Sequence, residues 1–428
     1  HSLAADLAAN LLNLILDPEM PLLDFGRRQR VETAARRAEI LALLADMQAG
    51  RADVVMIHNA NPVYALPAAS QAAAAFTQPN SFVVSLSSFM DETTAAADLI
   101  LPVRLPLETW DEYGANSGAT GLQQPTMGAL TAAPALGDLL LRTAYTDEAP
   151  AQDYKAYLTQ ALQAQHGVSA AADWVTAFQT GGLFADQGRG ATTADPAAVD
   201  VDLIGQVFGQ LKPSTHGAVF VAAPSIRLLD GRGANRAWLN EIPDSLTQVT
   251  WQSPVVMHPE TAIDLGTAQG RLLAIENGTT RLEAPVYTWA GVAPGVMMMA
   301  AGMGHTAYGR FARNQGANPF ALLPVETAPL DGGPLNSVVA PAVEDTGRSV
   351  PLAHIDGSRS QHDRKIAPSV ALKDLRAGLK PTKPGLTMWD FPLTLPIPEG
   401  YDPKRDFYPP HEHEGYRWAM VVDLDRCI

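Results

Sequence analysis

Apolar and polar positions follow two rhythms along the chain. Within residues 52–114, three short apolar runs rich in β-branched residues (54–57, 82–86 and 99–101) are separated by helix-compatible stretches, the first of them Ala-rich through Ala75. That alternation predicts βαβ units and a parallel sheet buried on both faces. The turns His58-Asn59-Ala60-Asn61-Pro62 and Ser87-Ser88 would then lie at the carboxyl ends of parallel strands, where open α/β sheets bind ligands. No Gly-rich phosphate fingerprint accompanies them, so taken alone they also fit an ordinary core in which Asn, Ser and Pro only form turns.

Upstream, Leu3, Leu7, Leu11 and Leu14 recur at helical spacing, and residues 31–44 read as a second helix. Arg27, Arg28, Arg30, Arg36 and Arg37 fit a solvated helix face better than an anion site. Residues 113–130 read as a Gly-rich rim loop, 136–165 as helix, and 167–202 as an irregular insertion. After a strand at 218–222 the rhythm shortens. Runs at 252–257, 272–276, 282–288 and 296–300, broken by Gly and Pro, predict a small β-barrel, with a hairpin signal at Asn277-Gly278.

From Pro324 onward periodicity fades into a Pro- and Gly-rich connector. The expected division is therefore α/β over 1–150, an insertion over 151–216, a barrel over 217–330, an extended connector over 331–415, and the first strand of a further domain over 416–428.

Composition narrows the classes. With 428 residues, 46% hydrophobic and 18% charged, the chain has material for two or three packed domains. Its formal charge of -15 argues against nucleic acid or an anionic membrane surface as a direct partner. The single cysteine, Cys427, allows no disulfide within the chain. No apolar run reaches the ~20 residues of a membrane span. Both ends of the chain, His1 and the run into Cys427-Ile428, suggest an internal piece of a longer polypeptide.

Four words occur in order: Ile57-His58-Asn59-Ala60-Asn61-Pro62, Ser88-Phe89-Met90-Asp91-Glu92-Thr93, Ala97-Asp98-Leu99-Ile100-Leu101-Pro102 and Leu107-Glu108-Thr109-Trp110. Together they resemble the molybdopterin oxidoreductase superfamily, as do Gly231-Arg232-Gly233-Ala234-Asn235-Arg236 and His258-Pro259-Glu260-Thr261-Ala262. The resemblance implies a Rossmann-like domain whose strand-end loops cradle a pterin dinucleotide, followed by a dinucleotide-binding barrel. The implied crevice is lined by Asn59, Asn61, Ser87, Glu108, His305 and Arg310. From the residues alone, the glycines of Gly302-Met303-Gly304-His305 let backbone approach a ligand, and Arg310 is suited to a phosphate. The same loop reads equally as the closure of the barrel, with His305 held by a backbone partner.

Near the end, Trp418, Met420 and Val422 alternate along a strand that delivers Cys427. Thiolate ligands suit iron in both redox states, whereas a lone cysteine is ordinarily a small core residue. The words Trp418-Ala419-Met420 and Asp423-Leu424-Asp425-Arg426-Cys427 resemble the start of the ferredoxin-like domain of four-cluster electron-transfer subunits, which implies that 416–428 is the first strand and first Cys of such a domain. Fused to a molybdopterin-like part, they resemble the iron–sulfur subunit of alternative complex III.

That resemblance implies an electron-transfer subunit of a membrane quinol:acceptor oxidoreductase, with iron–sulfur clusters reached through Cys427 and the molybdopterin absent. It implies no catalytic residue on this chain, and partners that include a quinol-binding integral membrane subunit and a cytochrome c subunit. It further implies a peripheral position on the periplasmic face of a bacterial cytoplasmic membrane. The alternatives are a catalytic molybdenum or tungsten bis-pterin enzyme of polysulfide-reductase type, and a non-redox scaffold of a membrane assembly. His411 and His413, one residue apart, are too few for a metal site, and Ser88 lacks a nucleophile elbow.

Overall fold

The computed structural model describes residues 3–16, 28–31, 34–78, 80–145, 151–167, 171–184, 200–209, 217–328, 332–355 and 376. The chain divides into two compact units, His1–Ile355 and Asp356–Ile428. The expectations for His411, His413 and Cys427, and most of the connector, lie outside the described residues.

Two helices, α1 (Leu3–Leu16) and α2 (Arg37–Gln48), precede the first strand. The second starts six residues later than its apolar pattern suggests. The Arg36 backbone N–H donates to the Glu39 carboxylate at 2.6 Å, and that cap sets the first turn. Next come β1 (Val54–Ile57), α3 (Pro62–Ala65), α4 (Ala72–Phe76), β2 (Phe82–Ser85), α5 (Glu92–Ala95) and β3 (Leu99–Ile100). The stretch expected as one helix after β1 is thus two short ones, separated by the 3₁₀ turn Ala68–Ser70 and by Gln71 at φ 55°.

Strands β1, β2 and β3 pair in parallel, in that order. Val55 and Val83 face a core of Leu44, Met47, Ala75 and Phe76. On the opposite face Val84 packs toward Leu136 and Leu139, but Val54, Met56 and Phe82 remain 57%, 58% and 48% exposed. The expected burial is therefore complete on one face and partial on the other, where Val84 is covered but Val54, Met56 and Phe82 are not.

The Gly-rich rim stretch forms a hairpin, β4 (Asp111–Asn116) and β5 (Ala119–Gln123), to which β6 (Gly182–Phe184) is added. The third strand approaches closely at its own glycine: a Cβ on Gly182 would lie 2.6 Å from the Thr120 carbonyl oxygen. Helices α6 (Leu136–Ala144), α7 (Tyr154–His166), α8 (Ala171–Thr180) and α9 (Val201–Gly209) follow, so ordered helix extends into the stretch read as irregular.

The second half carries β7 (Val219–Ala223), α10 (Ala237–Glu241), β8 (Val255–Met257), α11 (Pro259–Asp264), β9 (Arg271–Asn277), β10 (Thr280–Thr288), β11 (Val296–Ala300), β12 (Ser337–Val339) and β13 (Ala342–Ser349). They make one mixed sheet in the order β12-β7-β11-β8-β10-β9-β13. Its two edge strands are consecutive in the chain, joined only through Ala340 and Pro341. Seven strands laid flat would hold those edges ~29 Å apart, which so short a link cannot span. The sheet is therefore curled like a half-barrel around Phe220, Met257, Leu273, Ile275, Val286, Met297 and Met299.

The sheet also runs beyond residue 330, into the stretch expected as connector. Strand β13 is a largely solvated edge, so it lacks the alternation that marks inner strands. The β9–β10 turn uses Gly278-Thr279, with Gly278 at φ 58°, one position after the anticipated pair. His258 caps α11 by accepting the Glu260 N–H at 3.1 Å, followed by Pro259 in the first turn. Among the described residues no helix is long and apolar enough to cross a membrane.

Candidate functional site

The polar residues of two distant loops meet on Glu92. The Asp91 carboxylate caps α5 by accepting the Thr94 N–H at 2.7 Å, which places Glu92 in the first turn. Glu92 accepts from Asn61 Nδ2 at 2.7 Å, from the Thr306 N–H at 2.6 Å and from the Ala307 N–H at 3.1 Å. Its oxygens lie 3.1 and 3.2 Å from His305 Nδ1. Asn61 in turn accepts from the Thr93 N–H and Oγ1.

Burial alone would raise the Glu92 carboxyl. The hydrogen bonds from His305, Asn61 and Ala307 outweigh it and hold the group down at about 2, so it is ionised at neutral pH. An ionised partner fixes the proton of His305 on Nδ1. His305 Nε2 is buried without a hydrogen-bond partner among the described residues.

Tyr64 lies flat on the imidazole, centroids 3.8 Å apart and planes 8° from parallel. Its hydroxyl donates to the Met303 carbonyl at 2.8 Å and accepts the Gly302 N–H at 3.2 Å. Burial pushes that hydroxyl well above the ordinary tyrosine range. Asn318 Nδ2 donates to the Tyr64 carbonyl at 2.7 Å, fastening α3 to the loop after β11.

The glycines of this region bring protein against protein. A Cβ on Gly231, at φ 108°, would sit 2.6 Å from Tyr64 Cε1 and 2.7 Å from His305 Nε2. One on Gly302 would meet Leu228 Cβ at 2.5 Å, and those on Gly304 and Gly309 would overlap the backbone of Ala317-Asn318 and the side chain of Asn235.

The six residues assigned to a pterin crevice thus fall in different places. Asn61 and His305 meet on Glu92. Asn59, at φ 50°, lies instead on a separate cavity of about 340 Å³, together with His58, Ser88, Arg104 and Trp110. Ser87 Oγ donates to the Phe89 carbonyl within its own loop. Glu108 is buried and accepts the backbone N–H groups of Leu105 and Leu130, which hold its carboxyl below the usual range. Arg310 is exposed, with its guanidinium 4.5 Å over the Phe311 ring.

As arranged, this loop junction does not fit a dinucleotide pyrophosphate. Its central group is a carboxylate, and the groups gathered on it are bonded to one another. Glu92 is not marked by any local pattern: one of its four partners lies 31 positions upstream and three lie 213 to 215 positions downstream. Among the described residues no cluster of three or more His, Cys, Asp or Glu is placed to hold a metal.

No protein-family profile matches the chain. Over 297 residues it is 27% identical to the menaquinone reductase, molybdopterin-binding-like subunit, of Nitratidesulfovibrio vulgaris, covering 65% of this chain and 40% of that protein. Its fold is similar to that of acetylene hydratase from Pelobacter acetylenicus, with TM-score 0.51 and 16% identity over 73% of this chain and 47% of the other. The chain spans less than half the length of either. These two likenesses agree with the ordered loop words that resemble the molybdopterin oxidoreductase superfamily.

Proposed function

We propose that this chain is the platform part of a membrane quinol:acceptor oxidoreductase of the alternative complex III type. In this reading the molybdopterin-like architecture is kept for its shape, and electrons travel through iron–sulfur clusters whose first ligand is Cys427. The observation that carries the structural half is the closure on Glu92. One ionised carboxylate gathers Asn61, His305 and two backbone N–H groups, and so occupies with the protein's own bonds the junction where a pterin dinucleotide would be expected.

The assembly half leans on likeness to a subunit named for menaquinone reduction. The partners in this reading are a quinol-binding integral membrane subunit and a cytochrome c subunit, with this chain peripheral on the periplasmic face. Chemistry on the quinol then belongs to the membrane partner, and no residue of this chain is assigned a catalytic role.

Metal analysis of the intact complex tests it. Iron is expected with molybdenum and tungsten far below one per chain. One molybdenum or tungsten per chain would refute the platform reading and favour a catalytic bis-pterin enzyme. A complex without iron would leave only a non-redox scaffold.

A further inference from the structure

The cavity of about 340 Å³ beside β1 and β2 lies apart from the Glu92 junction, since neither Asn61 nor His305 lines it. Its volume falls in the range of small-molecule sites. It opens at the carboxyl ends of parallel strands, where α/β sheets place ligands.

The walls are apolar and aromatic, from Trp110, Tyr154, Tyr157, Leu136, Leu140 and Leu141. They are held in place by several contacts. Trp110 meets Phe178 edge-on at 5.4 Å. The Tyr154 backbone N–H donates to Asp138 Oδ1 at 2.8 Å and ties α7 to α6. The Tyr154 ring lies so close to Gly137 that any Cβ there would overlap it.

One edge is polar, and what it offers is mainly donors. Arg104 Nε donates to the Ala133 carbonyl at 2.8 Å, while its two terminal nitrogens make no hydrogen bond to a described residue. The Asn59 amide likewise has no side-chain partner among the described residues, although its backbone is held in the left-handed region. His58 adds a ring that burial keeps toward the neutral form. The one carboxylate in the lining, Asp111, is exposed.

From this juxtaposition of aromatic walls with the Arg104 fork and the Asn59 amide, we infer that the cavity binds a planar conjugated ring carrying acceptor oxygens. An aromatic carboxylate and a cyclic dione share that chemistry. The ring packs against the apolar wall that includes Leu136, Leu140 and Trp110, whose ring also carries Lys155 Nζ at 4.5 Å, and its oxygens accept from Arg104 and Asn59. The inference goes beyond the platform reading and does not depend on it.

Titration of the full-length protein with naphthoate and, separately, with menadione tests the site, using calorimetry or tryptophan quenching. Trp110→Leu should weaken whichever probe binds. If the source is a carboxylate, naphthoate binds saturably and Arg104→Gln weakens it about tenfold or more. If it is a dione, menadione binds saturably, with a loss in Asn59→Gly and a loss in Arg104→Gln smaller than the one a carboxylate shows.

Absence of saturable binding of either probe up to about 1 mM overturns the inference. So does wild-type affinity in all three variants. Should Trp110→Leu melt early, the two polar variants decide, because each changes a group with few bonds to the rest of the chain.

Discussion

Replacing Glu92 by glutamine changes little in volume and much in bonding. The carboxylate offers two acceptor oxygens to four donors: Asn61 Nδ2, His305 Nδ1 and the N–H groups of Thr306 and Ala307. Glutamine keeps one oxygen and brings an amide that donates, so at least one buried donor loses its acceptor. Holding the carboxyl at about 2 rather than the ordinary 4.5 corresponds to about 3 kcal/mol of preference for the ionised form in the folded chain. Charge-assisted hydrogen bonds of this kind are worth about 1.5 to 3 kcal/mol each. We expect Glu92→Gln to cost about 2 to 4 kcal/mol and to lower the melting temperature by about 5 °C or more near neutral pH.

The pH dependence has a fixed sign. A carboxyl held low in the folded state stabilises above its ordinary value, and that stabilisation disappears as pH falls through the folded value. The gap between wild type and variant should therefore be full near pH 7 and narrow as the solution approaches about pH 3. Melting followed by circular dichroism at several pH values reads this directly. A variant that melts with wild type near pH 7, or a gap of constant size down to pH 3, would refute the assignment of Glu92 as the charged centre of the junction.

Three further substitutions probe the same region. Gly231→Ala drives a methyl into Tyr64 and His305 and should cost about 2 to 3 kcal/mol, visible as an early melt. Tyr64→Phe keeps the stack on His305 but strips the Met303 carbonyl and Gly302 N–H of their partner, so a loss of about 1 to 2 kcal/mol is expected in denaturant unfolding. Trp238→Ser serves as the contrast: the side chain is 86% exposed, and stability should move by no more than about 0.5 kcal/mol.

Local signals served well where the cause of structure is local. Apolar runs marked β1, β2 and β3, Pro259 after His258 marked the start of α11, and Gly278 marked the β9–β10 turn within one position. Patterns failed where an element depends on distant pairing. Gly114, Gly118 and Gly121 look like loop residues, yet they lie in a hairpin whose turn holds Gly118 at φ 73° and whose third strand approaches closely at Gly182. Strand β13 carries Glu344, Asp345 and Arg348 on a solvated edge and so shows no apolar rhythm.

The site divides in the same way. Asn61 and His305 were recognisable as polar groups on strand-end and Gly-rich loops. Their meeting on Glu92 was not, because it is created by folding two halves of the chain together. Arg310 looked suited to a phosphate by residue type, but its guanidinium rests on the neighbouring Phe311 ring. Arg104 escaped notice because its value comes from the Ala133 carbonyl that orients it and from the cavity it faces.

Val54, Met56 and Phe82 form a bare greasy strip on strands that all run the same way. Water against such a strip is unfavourable by roughly 25 cal/mol for each Å² left wet. A preparation of this chain by itself should therefore light up an apolar dye and self-associate as it is concentrated. Its net charge of -15 would keep molecules apart everywhere except at that strip.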